Sequence, residues 1–156
     1  MIVSAGRFTG GMTTAHHLRL IDGMRARDFP VERIQSGSGV SGPGYHRVSL
    51  HADDEHRDDD EAGRLEHRAQ CLAEHDALLT LLEGRWGEPQ MVGLWSAQER
   101  MMAGEEIPEP WTDPVAGCEY LRLWRIEDRW IAMGLQLQED GPGCELSVLV
   151  TEIDPP

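Results

Sequence analysis

Apolar residues recur at helical spacing in one long stretch of the chain. Leu65, Leu72 and Leu79 lie seven residues apart, and further leucines between them widen the same stripe. This spacing places the leucines on one face of a helix. The sequence therefore predicts a long amphipathic helix over residues 62–85. A weaker repeat of the same kind predicts a second helix over residues 12–28.

Apolar and polar residues alternate in the C-terminal third of the chain, as they do in strands with one buried side. Ile131, Met133 and Leu135 are one example. The alternation predicts an antiparallel meander of three strands in this third. With two earlier strands, the predicted set lies at residues 45–52, 91–95, 118–126, 130–138 and 144–153. A short helix is predicted at 96–103.

The order of these elements predicts the α+β class. We expect residues 45–156 to form a single domain, an antiparallel sheet that ends in the three-strand meander. The one long amphipathic helix would pack on one face of this sheet. Residues 36–44 are rich in Gly and Ser, a composition typical of flexible linkers. Residues 1–44 are therefore predicted to be a loosely attached helical arm followed by a linker.

The loop after Ile126 decides which residues of the meander share a face. A three-residue loop, 127–129, would unite the aliphatic side chains on the core side, and we expect this arrangement. A two-residue turn would shift the pairing by one and mix the two sets. The opposite face would carry four residues of the kind found in binding hot spots: Tyr120, Arg122, Trp124 and Trp130. The simpler alternative is that the N-terminal arm covers this face.

Acidic residues outnumber basic ones, and the formal net charge is −14. Seven carboxylates fall within nine residues: Asp53, Asp54, Glu55, Asp58, Asp59, Asp60 and Glu61. Because these carboxylates repel one another, they must be solvated or paired with a cationic partner. The end of the run would also stabilise the N-terminus of the long helix. We expect no binding to nucleic acid or to anionic membranes, which attract basic surfaces. A basic protein is the favoured partner.

Catalytic and metal-binding motifs are absent from the sequence. It contains no G-x-S-x-G, H-E-x-x-H or Walker pattern. His51, Asp53, Asp54 and His56 are residue types that bind divalent ions, but their spacing matches no established metal site. We therefore predict neither a metal nor a cofactor. Single histidines elsewhere, among them His17 and His67, are expected at the surface.

Three cysteines are present, with no C-x-x-C pair. We predict that all three are reduced and mostly buried. Cys118 and Cys144 should flank the central strand of the meander, with Cα atoms roughly 9–10 Å apart. A disulfide needs less than ~7 Å, so a bond between them is not expected.

The coding bias points to the source of the chain. All fourteen basic residues are arginine, and Lys and Asn are missing, which indicates a GC-rich genome, and we expect a bacterial one. Segments 82–89, 106–111 and 150–154 resemble small acidic proteins of GC-rich actinobacteria. This likeness names no family and implies no site residue.

Together these features favour a non-enzymatic, acidic protein-binding module. The most concrete form is an immunity-type inhibitor of a cationic toxin or another basic protein, steered by the acidic run and anchored by the aromatic face. One alternative is a chaperone or adaptor for a secreted or assembled protein. Another is a small metal-binding protein or enzyme. A homodimer could equally form, through an uncovered aromatic face or a free edge strand. With no apparent secretory signal or apolar span, a cytoplasmic location is expected.

Overall fold

A computed structural model of the chain describes residues 2–51, 61–138 and 143–156. The described helices are α1 (Ile2–Ala26), α2 (Glu61–Trp86), α3 (Trp95–Met102) and α4 (Thr112–Gly117). The described strands are β1 (Ile34–Ser36), β2 (Gly39–Gly42), β3 (Tyr45–His51), β4 (Gln90–Gly93), β5 (Tyr120–Ile126), β6 (Arg129–Leu137) and β7 (Cys144–Thr151).

The strands form one antiparallel sheet in the order β1-β2-β3-β7-β6-β5-β4. After β3 the chain leaves the sheet through α2 and returns at the opposite edge as β4. It then winds back through β5 and β6, so that β7 pairs beside β3. Helix α2 has 26 residues, a length of about 39 Å, which is enough to cross the strands between β3 and β4. The predicted α+β class, long helix and C-terminal meander are confirmed.

Both faces of the central strands are buried. On one face, α1 and α2 cover a core that includes Leu78, Leu82 and Ile131. On the other face, the segment from α3 through α4 covers a second core built around Trp111 and Leu149. The second core explains why consecutive residues of β6 are buried, a pattern expected only for a strand covered on both sides.

The second core also decides the register of β5 and β6. Ile126 pairs with Arg129, so the turn between the strands has two residues and the predicted three-residue loop is wrong. Leu121 consequently pairs with Gly134 and lies on the side of α3 and α4, while Trp124 pairs with Ile131 on the side of α1 and α2. The aliphatic residues need not share a face, because each face has a core of its own.

The Gly/Ser-rich segment extends the sheet. Strands β1 and β2, which include much of the stretch expected to be a linker, form a hairpin that pairs with β3. Gly37 occupies the hairpin turn with a positive φ of 57°, which glycine adopts without steric cost. Helix α1 precedes this hairpin and buries Ile21 and Met24 in the core beneath it. The boundary expected after residue 44 lies within the turn between β2 and β3.

A disulfide joins Cys71 of α2 to Cys144 of β7, with their Cα atoms 6.3 Å apart. The prediction of three reduced thiols is therefore wrong. That prediction considered only distances between neighbouring strands. Helix α2 lies over β7 and brings Cys71 close enough to Cys144 for a bond. Cys118 is buried and unbonded, as expected for its distance from Cys144. None of the helices in the described part of the chain is long and apolar enough to cross a membrane.

Candidate functional site

The acidic run lies almost entirely outside the described residues. This holds for Asp53, Asp54, Glu55, Asp58, Asp59 and Asp60, and for the candidate ligand His56. Glu61 is the first residue of α2. His51 ends β3 and is described in full.

The four residues expected on one aromatic face are divided between the two faces of the sheet. Trp124 is 4% exposed and belongs to the core under α1 and α2. Its Nε1–H donates to the carbonyl oxygen of Gly87 at 2.9 Å. Trp130 lies on the other face, where its Nε1–H donates to Asp154 at 3.0 Å. The shared face does not form, and the buried Trp124 ring cannot reach a partner in this packing.

Tyr120 and Arg122 remain together near the outer edge of the sheet. The Arg122 guanidinium lies 5.2 Å from the centre of the Tyr120 ring. It also donates to Nε2 of His75 at 3.2 Å, and Nδ1 of His75 contacts Asp76 at 3.0 Å. These contacts hold the Arg122 guanidinium against α2 and the Tyr120 ring.

An exposed apolar surface that sequence reasoning missed lies on α3. Trp95 is 72% exposed and Met102 is 88% exposed. Positions i, i+4 and i+7 share one side of a helix, so Trp95, Glu99 and Met102 form one solvent-facing stripe. We call this stripe the α3 face. Since it sets two large apolar side chains on either side of a carboxylate, it offers both an anchor and a charge to a partner.

Buried contacts on the opposite side of α3 hold the α3 face outward. Leu94 and Ala97 belong to the second core. Between them and the sheet, Nε2 of Gln98 donates to the carbonyl oxygens of Val115 and Cys118, both at 2.9 Å. Rotating the helix to bury Trp95 would break these contacts, so the exposure of Trp95 follows from the packing of its neighbours.

The segment that contains α3 is rich in negative charge. Residues 88–106 contain four carboxylates, all exposed: Glu88, Glu99, Glu105 and Glu106. The segment has a single cation, Arg100, which pairs with Glu105 at 3.3 Å. The net charge of this segment is therefore negative, as is that of the whole chain.

A second group of polar side chains joins α1, β3 and α2. We call His17, His51, His67 and Glu74 the histidine cluster. Nδ1 of His51 lies 2.7 Å from a Glu74 oxygen, and Nε2 of His51 lies 3.0 Å from Nε2 of His67. Nε2 of His17 approaches the other Glu74 oxygen at 3.6 Å. The expectation that His17 lies at the surface is wrong, since it is 3% exposed.

Burial affects the titration of one member of this cluster, His17. Desolvation lowers the pKa of His17, while the Glu74 carboxylate partly opposes that shift. The Nδ1 atom of His17 is buried and has no hydrogen-bond partner. In the described part of the chain, no three His, Cys, Asp or Glu side chains are arranged to hold a metal ion.

A cleft of about 380 Å³ separates the end of α1 from the β1–β2–β3 hairpins. On its wall, the Ser41 hydroxyl donates to Nδ1 of His46 at 2.6 Å, and Nε2 of His46 faces the carbonyl of Arg27 at 3.4 Å. Burial lowers the pKa of His46, which favours the neutral imidazole that this bond requires. Ser41 and His46 are directly paired across β2 and β3, so their contact is explained by strand pairing.

Comparison with protein-family models, curated proteins and solved structures finds no match to this chain.

Proposed function

We propose that this protein is a non-enzymatic binding module for a basic protein, most concretely an immunity-type inhibitor of a cationic toxin. The observation that carries the proposal is the exposure of Trp95 and Met102 on one face of α3. Trp is among the residues that dominate binding energy at protein interfaces. A monomer gains no stability from leaving such a side chain in water, whereas a partner that buries it gains affinity.

The geometry of the α3 face suits an anchor inserted into a pocket. The seven-residue offset separates Trp95 from Met102 by about 10 Å along the helix axis. Burying a tryptophan at the centre of an interface is typically worth ~2 kcal/mol or more. Methionine adds a flexible apolar contact that fits irregular surfaces. A pocket with two apolar depressions on the partner would match this spacing.

Negative charge is the second feature that supports the proposal. Glu99 lies within the α3 face, Glu88, Glu105 and Glu106 are near it in sequence, and the acidic run at residues 53–61 adds further charge to the chain. Such a field accelerates encounter with a cationic protein and repels acidic competitors. In the inhibitor form, the carboxylates would occupy the cationic site that the toxin uses for an anionic substrate.

The first test is affinity capture from a lysate of the source organism, followed by quantitative mass spectrometry. The test variant is W95S/M102S. A matched control is L65S/L81S, which removes two exposed leucines from α2, 54% and 45% exposed. We expect the wild type and the control to enrich the same basic protein, and the α3 variant to lose it.

Salt and charge variants separate the proposal from its alternative. Capture of the basic protein should weaken as ionic strength rises, because screening shortens the reach of the field to about 8–10 Å. It should also weaken when the seven acids at 53–61 are replaced by Ser and Gln. Salt-independent capture of proteins with no basic character, still lost in W95S/M102S, would favour the chaperone or adaptor. Equal capture by all variants would refute the role of the α3 face.

A further inference from the structure

We propose that the basic partner contributes an extended segment that pairs with β4 and so adds a strand to the sheet. This inference rests on the proposed function, because it states how the same partner would reach the α3 face. Strand β4 ends the sheet order, and β5 is its only strand neighbour among the described residues. Extended peptide segments commonly bind by adding a strand to such an edge.

The register of β4 shows which of its backbone groups face away from β5. The Leu94 N–H donates to the carbonyl oxygen of Glu119 at 2.9 Å, so these two residues form a hydrogen-bonded pair. Hydrogen-bonded and non-hydrogen-bonded pairs alternate along an antiparallel ladder. Val92 therefore bonds to β5, whereas the N–H and C=O groups of Met91 and Gly93 point to the free edge. These two residues offer a partner strand two donors and two acceptors.

The edge of β4 lacks the features that usually protect an exposed strand from pairing. Such strands often carry a lysine, a proline or a bulge. The sequence of β4 is Gln-Met-Val-Gly, and the strand pairs with β5 without a register shift. Met91 is 58% exposed, and Gln90 and Gly93 are exposed as well. The described part of the chain therefore leaves this edge open to solvent.

On the α2 side of the edge, the side chains suit an apolar residue of the added strand. Gly93 pairs with Tyr120, and a Cβ at Gly93 would meet no described atom within 4 Å. A side chain opposite Gly93 can therefore lie over the glycine and contact the Tyr120 ring. The cation on this side, Arg122, pairs with Met91 and donates to His75 of α2. A neutral side chain therefore fits this side better than a second cation.

The other side of the edge suits a basic residue. Successive residues of a strand point to opposite faces, so Glu119, which precedes Tyr120, belongs to the side covered by α3. Helix α3 brings Glu99 to that side, and both glutamates are exposed. Residues 88–99 contain no Lys, Arg or His. An added strand that alternates apolar and basic residues therefore complements both sides.

Position and charge favour the basic partner over a second copy of this chain. Trp95 follows Gly93 by two residues, so at most about 7 Å of backbone separates the anchor from the end of the edge. A partner segment on β4 would therefore run beside the α3 face. A second copy would bring the same carboxylates and its own net charge of −14, and the like charges would oppose pairing.

The test uses a synthetic peptide of alternating Val and Lys with blocked ends, added to the isotope-labelled full-length protein and followed by NMR. We expect the peptide to slow hydrogen exchange of the Met91 and Gly93 amides, but not of the Val92 amide, which is already bonded to β5. Met91→Pro removes one outward N–H from an edge position that tolerates proline, and it should weaken binding by about 5–10-fold. The matched control, Gln35→Pro, places proline at an exposed residue of β1, the opposite edge, and its affinity should equal that of the wild type.

Two further peptides separate backbone pairing from charge and need no variant of the protein. A Val/Lys peptide that is N-methylated on the residues facing β4 lacks the donors for the new ladder. It should bind at least about 10-fold more weakly than the parent peptide. A Val/Glu peptide keeps the donors but reverses the charge, and it should bind more weakly as well.

Unchanged exchange of the Met91 and Gly93 amides in the presence of the Val/Lys peptide would overturn the proposal. So would equal affinity for the N-methylated or the Val/Glu peptide, or a homodimer in which both amides are already protected before peptide is added. The proposed function is decided separately, by whether W95S/M102S loses the basic protein. Capture that depends on the α3 face, together with no peptide pairing, would leave the anchor in place and remove only the added strand.

Discussion

The disulfide between Cys71 and Cys144 should contribute a large part of the stability of this fold. Its two cysteines are 73 residues apart in sequence. It joins α2 to β7, the strand that connects the N-terminal hairpins to the meander. Reducing it removes a long-range constraint on the unfolded chain and leaves the other native contacts in place. The chain-entropy relation for a loop of this size gives about 4 kcal/mol at 25 °C.

A loss of that size would be easy to measure, because small domains are stable by only about 5–15 kcal/mol. With a urea dependence near 2 kcal/mol/M, the unfolding midpoint should fall by about 2 M. Cys71 and Cys144 are 0% and 1% exposed. The bond must therefore be reduced in the unfolded state, and the protein refolded with the reductant present.

The assay is equilibrium unfolding in urea, followed by far-UV circular dichroism, with and without a phosphine reductant. The wild type and C118S should both lose stability on reduction, since Cys118 takes no part in the bond. C71S/C144S should be insensitive to the reductant. If reduction shifts the wild-type midpoint no more than that of C71S/C144S, the disulfide does not stabilise the fold.

Three further predictions follow from the packing and the buried titratable groups. Gly134→Ala should destabilise the protein by about 1–3 kcal/mol, because the added Cβ would lie 2.9 Å from Leu121 and 3.1 Å from the Cys118 sulfur. Gly93 has open space around it, so Gly93→Ala should leave the stability nearly unchanged in the same urea assay. Burial lowers the pKa of His17 and His46 from 6.5, so the unfolded chain binds more protons than the native protein. The free energy of unfolding should therefore fall as pH drops below 6.5. If the free energy of unfolding of H17Q/H46Q falls as steeply with pH as that of the wild type, this expectation is wrong. Burial raises the pKa of Cys118 to about 11, so iodoacetamide at pH 8 should leave the native protein unmodified. In urea without reductant, the same reagent should alkylate one cysteine, and mass spectrometry measures both results.

The elements with strong local patterns could be predicted from the sequence. Leucines seven residues apart predicted a helix over 62–85, and α2 spans Glu61–Trp86. The meander strands also lie within a few residues of their predicted bounds. In each case many residues repeat the period of the element, so the sequence carries the signal several times over.

The register of β5 and β6 could not be predicted, because it depends on a segment with no period of its own. The stretch around Trp111 has no apolar period in its sequence, yet it covers the second face of the sheet. Once both faces are buried, alternation no longer tells which set of residues belongs to which core. The Gly/Ser-rich segment was ambiguous for a related reason, since glycine suits a hairpin turn as well as a linker.

The candidate sites depended on contacts that sequence spacing does not reveal. The predicted strand at 91–95 included Trp95, but β4 ends at Gly93 and Trp95 begins α3. That small difference moves Trp95 from a strand to the first turn of a helix, where its side chain is exposed. The histidine cluster joins residues from α1, β3 and α2, and only the packing of these elements brings His51 to Glu74.

The most direct test of the proposed function is the dissociation constant for the purified basic partner, measured by calorimetry with wild type, W95S and the control L65S. If the α3 face is the anchor, W95S should weaken binding by about 30-fold, equivalent to ~2 kcal/mol, and L65S should bind as the wild type does. Equal affinities for all three proteins would contradict the account.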